Sequence, residues 1–84
     1  MPEEEVGNVS DYFARVGVAG IELTGSLKVG DTIHIKGHTT DLHIPVASMQ
    51  LDRVEVINAT PGQAVGIRVP DRVRAGDRVY KVLP

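Results

Sequence analysis

The sequence predicts an all-β fold, a small closed Greek-key-type β-barrel of about six or seven strands, and three observations carry that prediction. Apolar residues recur mostly at every second position, valine and isoleucine far outnumber leucine, and glycine or proline interrupts the chain too often for a helical period. β-Branched side chains are stiff at χ1 and pack well on a pleated surface, so this composition favours strands. At 84 residues the chain has room for one core. Aromatic residues are confined to Tyr12, Phe13 and Tyr80, which leaves that core to aliphatic packing.

In order along the chain, residues 1–5 form an acidic start expected to be flexible, and residues 6–84 a single barrel domain. The first strand is expected over Val6–Phe13, broken near Gly7, and the second over Val16–Leu23. Turn signals at Thr24-Gly25 and Val29-Gly30-Asp31 precede Thr32–Lys36, where Ile33 and Ile35 should face inward and His34 and Lys36 outward. Leu42, Ile44 and Val46 continue the alternation, whereas Met49 and Leu51 resume it in the other phase. A bulge or break near Pro45–Ser48 must absorb that slip. Val54 and Val56, then Ala64–Val69, then Arg78–Val82 complete the strands, with Asn58–Gly62 read as a turn. No linker or repeat is visible.

The turns also carry a resemblance. Gly25-Ser26-Leu27-Lys28-Val29-Gly30-Asp31-Thr32-Ile33-His34-Ile35-Lys36-Gly37 resembles a stretch of the β-barrel second domain of elongation factor Tu and its relatives. Ser48-Met49-Gln50, Pro61-Gly62-Gln63-Ala64-Val65-Gly66-Ile67 and Val73-Arg74-Ala75-Gly76-Asp77 follow in that family's order. The resemblance implies a stand-alone translation-factor-like module. The positions that help hold aminoacylated transfer RNA in those factors carry Ser48, Leu51 and Ala64 here, so the likeness carries the architecture and not that pocket. A phosphate-binding glycine loop is missing, so no GTP binding is expected.

Composition narrows the chemistry further. Without cysteine there is no disulfide and no thiolate metal site. The acidic start differs from a secretory signal and no stretch approaches the roughly 20 apolar residues of a membrane helix, so a cytoplasmic protein without a membrane partner is expected. Ser10, Ser26 and Ser48 lack the context of an activated nucleophile, and Asp31, Asp41 and Asp52 fit turns whose amides they can bond. No enzymatic activity and no cofactor are expected. His34, His38 and His43 with Asp41 are of the type that binds zinc or nickel, but a strand and a turn give them no common direction, and solvated polar residues are expected instead.

Net charge is −2, yet the C-terminal third is basic. Gln50, Arg53, Arg68, Arg72, Arg74 and Arg78 are the candidate binding residues, because arginine forks pair with phosphates and acidic partners bidentately. The functional expectation is therefore a non-enzymatic module contacting RNA or a ribonucleoprotein through an arginine-rich loop, with a protein–protein adaptor or oligomerisation unit as the alternative.

Overall fold

Alternation along the chain is realised as strands throughout the computed structural model, which describes Pro2 to Pro84. Ten strands form: β1 (Glu3–Phe13), β2 (Val18–Leu23), β3 (Leu27–Lys28), β4 (Thr32–Lys36), β5 (Asp41–Pro45), β6 (Met49–Leu51), β7 (Val54–Val56), β8 (Asn58–Ala59), β9 (Ala64–Arg68) and β10 (Arg78–Val82). Among the described residues there is no helix, and hence none long and apolar enough to cross a membrane.

Eight strands join antiparallel in the order β5-β4-β10-β1-β2-β9-β6-β7, and β3 and β8 form a separate ribbon. The expected closed barrel is corrected accordingly: the large ladder is open, with β5 and β7 as its unpaired ends. The ribbon lies across that gap. Val29, just after β3, donates to the Ile57 carbonyl beyond β7, while Gly30 donates to the carbonyl of Val46, after β5, and Val46 donates to that of Asp31. Ten strands replace the expected six or seven chiefly because β3 and β8 are two residues each, too short for any periodicity to mark.

The phase slip between β5 and β6 is resolved as expected, with residues 46–48 outside any strand and both Ile44 and Met49 buried. β1 has register shifts at Glu5/Gly7 and at Val9/Asp11, which bend it between β10 and β2. Of the acidic start expected to be flexible, Met1 lies outside the described residues. Glu3, Glu4 and Glu5 are instead paired with Val82, Lys81 and Tyr80, because β1 continues to the end of β10. The core is aliphatic, with Val6, Val9, Ile21, Ile33, Ile35 and Val79 wholly buried.

One device recurs three times. In Lys28–Asp31, Thr60–Gln63 and Arg74–Asp77, a glycine at the third position has φ of 100°, 92° and 95°, the pattern of a type II turn. In each, the fourth side chain accepts from the first residue's amide: Asp31 from Lys28 at 3.0 Å, Gln63 from Thr60 at 2.9 Å and Asp77 from Arg74 at 2.9 Å. Each turn then clasps a buried aliphatic elsewhere by two backbone bonds. Gly30 and Asp31 hold Val46, Gly62 and Gln63 hold Leu23, and Gly76 and Asp77 hold Val9. A repeat is thus present in three-dimensional form although the sequence shows none, because only the glycine and a polar acceptor are shared.

Gly76 of one turn and Gly7 of β1 separate conformational strain from steric strain. Gly76→Ala should cost about 1–2 kcal/mol through its positive φ, although a Cβ there would meet nothing within 4 Å. Gly7→Ala should cost about 3 kcal/mol, since its Cβ would overlap the Glu22 carbonyl oxygen on β2. Urea denaturation of both variants checks the order, and equal stability of Gly7→Ala and wild type would refute the close approach of β1 to β2.

Candidate functional site

Cross-strand partners share a face of a sheet, so the register builds one polar row on the outer side of the molecule. His43 of β5 is opposite His34 of β4, His34 is opposite Tyr80 of β10, and Tyr80 is opposite Glu5 of β1. Glu3, two residues before Glu5 on β1, reaches the same row. Its carboxylate lies 3.0 and 2.8 Å from His34 Nδ1, and Asp41 Oδ1 lies 2.6 Å from His34 Nε2. The His43 ring stacks on His34 with centroids 3.9 Å apart and 17° between planes, and its Nε2 is 3.7 Å from Glu3 Oε2.

His34 therefore departs from the solvated residue expected. It points outward, as alternation requires, but only 8% of it is exposed, because Glu3, Asp41 and His43 cover it. His38 sits exposed in the β4–β5 turn and is not among the groups gathered there. Carboxylates only accept, so both bonds to the His34 ring require the doubly protonated imidazolium. Burial pushes the His34 pKa down, but the hydrogen bonds to Glu3 and Asp41 outweigh it and the net direction is upward. Hydrogen bonding to His34 lowers both Glu3 and Asp41.

The arginine-rich set is not brought together. Gln50 and Arg68 border a hollow of about 260 Å³ with Val16 and Val18, on the outer face of β2, β9 and β6. Gln50 and Arg53 border an adjoining one with Phe13. Arg72, Arg74 and Arg78 line neither, and Arg78 pairs at 2.9 Å with Glu5. The apolar side chains beside Gln50 were missed from sequence; Phe13 and Val16 are 53% and 55% exposed. Opposed glycines Gly20 and Gly66 run along the same face, and their cross-strand pairing gives it no side chain there.

Comparisons with known proteins correct the family expectation. No family model matches the chain. It is 46% identical over 77 residues to an uncharacterized protease of Methanocaldococcus jannaschii, and 40% identical over 78 residues to a collagenase of Porphyromonas gingivalis. Each match takes in 90% of this chain but only 19% and 22% of the relative, so the chain spans about a fifth of their length. Two crystal structures of the C-terminal domain of a U32 peptidase from Geobacillus thermoleovorans share the fold. Their TM-scores are 0.88 and 0.89 at 21% and 20% identity, covering 93% and 95% of this chain and 99% and 93% of theirs.

The elongation-factor resemblance is overturned by these matches, and with it the translation-factor module contacting RNA through an arginine loop and its adaptor alternative. The physical reason lies in the motifs that suggested it. Gly30, Gly62 and Gly76, which anchor three of the four resembling stretches, are the positive-φ residues of the repeated turn, and turn geometry recurs among unrelated chains. The expectation of no enzymatic activity is corrected as well, since the matched relatives, of which the chain spans about a fifth, are named protease and collagenase.

The His34 cluster has a defined pH signature. A raised imidazole pKa contributes stability in full below the ordinary value of 6.5 and loses it as pH rises through the folded value. Lowered carboxylates contribute in full above their ordinary values of 4.5 and 3.8 and lose it as pH falls through the depressed ones. His43 and Tyr80 also face His34, and Lys36 adds to the lowering of Asp41. The stability difference between wild type and His34→Asn in metal-free buffer should peak between about pH 4.5 and 6.5 and shrink above it. Urea midpoints across pH check this; a difference that grows above pH 7 would contradict it.

Proposed function

We propose that the chain is the C-terminal-type domain of a U32-like peptidase, and that within such a protein it holds polypeptide substrate beside the peptidase body. The observation that carries this reading is the 46% identity over 77 residues to a protein named as a protease. The likeness in fold to U32 C-terminal domains supports the same assignment. Two surfaces suit an extended chain. β7 ends the large ladder with its outer backbone groups unpaired within it, and Val54 and Ile57 beside them are 63% and 76% exposed. Such an edge can add a strand, because an incoming peptide completes the ladder's backbone bonds.

The hollow between Val16, Val18, Gln50 and Arg68 supplies the second surface, apolar on one side with an amide and a guanidinium on the other. The β3–β8 ribbon across the open side of the ladder favours a curved, barrel-like shape that keeps both surfaces outward.

The test uses the Methanocaldococcus jannaschii relative, intact, lacking the matched region, and with the present chain in its place, each assayed on labelled gelatin. Deletion is expected to lower kcat/KM at least tenfold, chiefly through KM, and the replacement to restore most of it. Unchanged hydrolysis on deletion would overturn the substrate-holding role.

A further inference from the structure

The geometry points to a divalent transition-metal site of the zinc type at Glu3, His34 and His43, on the outer face where Glu3 of β1 reaches past β10 to β4 and β5. One ligand atom from each of the three residues lies within 4.8 Å of the others. Two imidazoles and a carboxylate, with the fourth position open to water, form a common donor set for zinc.

His34 is held as a metal ligand would be. Its Nε2 faces Asp41 at 2.6 Å while its Nδ1 faces the cluster. A ligating histidine characteristically donates its other ring N–H to a carboxylate, which fixes the tautomer and makes the ligating nitrogen more basic. Asp41 is placed to accept that hydrogen bond. With Nδ1 deprotonated the metal takes the position of the proton now shared with Glu3, and the two carboxylates that favour an imidazolium also favour a divalent cation.

Metal binding requires defined movements of the three side chains. Zinc-to-ligand bonds of about 2.0–2.2 Å in a tetrahedron separate ligand atoms by about 3.4 Å. His43 Nε2 and Glu3 Oε2 are 3.7 Å apart, and Glu3 Oε2 and His34 Nδ1 must open from 2.8 Å. Stacked rings keep their lone pairs in separate, nearly parallel planes, so His43 has to tilt out of its stack to share an ion with His34. Its side chain is 57% exposed and has room to turn, whereas His34 is fixed between strands. The site is independent of the peptidase assignment.

Zinc chloride titrated calorimetrically into the chelator-treated, full-length protein is expected to bind at one ion per chain. In long-range ¹H–¹⁵N spectra the His34 and His43 ring signals should shift and those of His38 should not. Glu3→Gln and His43→Ala should weaken binding at least tenfold, with circular dichroism verifying that the variants remain folded, whereas His38→Ala should stay within twofold of wild type. No heat of binding, a folded His43→Ala that binds as wild type, or a loss centred on His38 would each overturn the site.

Discussion

The fold depends most on the two backbone bonds by which each repeated turn clasps a buried aliphatic on another segment. Val9, Leu23 and Val46 are each at most 3% exposed, and each has its amide and carbonyl satisfied by a turn. Without those partners, six polar groups would be buried beside an apolar core, each at a cost of about 1–3 kcal/mol. The turns also position the strands that follow them. Two residues after each polar acceptor comes a core residue: Ile33, Val65 and Val79. One local geometry therefore sets three strand starts, and it explains how a core without large buried rings is held in register.

The sequence was informative wherever local chemistry decides structure. The bounds of β4 follow from clean alternation between Asp31 and Gly37, and the break at residues 46–48 follows from the phase slip around Pro45. The turns at Gly30 and Gly76 follow from glycine before an acid. β3 and β8 were not legible, since each is defined by its partner and not by its own two residues. Closure was overestimated because frequent short strands are common to closed barrels and to an open ladder spanned by a ribbon.

The polar cluster shows the same division. Period-two alternation gives the direction of the His34 side chain but not what covers it. The cover comes from Glu3, 31 positions away, through pairing of β1 with β10 and of β10 with β4. Part of it could have been found: an antiparallel hairpin about residues 37–40 places His43 opposite His34. The arginines divide among separate places for a related reason. Charges close in sequence were grouped, but strand pairing sends Arg68 to the face shared with Gln50 and brings Arg78 to Glu5. The family likeness went astray because it was read from residues that any chain making these turns would need.

Finally, Leu83 donates its amide to the Pro2 carbonyl at 2.9 Å, so the start of β1 and the end of β10 lie side by side. Polypeptide joined at both points would depart and return through one corner. A unit attached this way can hang from a larger body as a pendant, and forces between distant parts of that body would bypass its sheet.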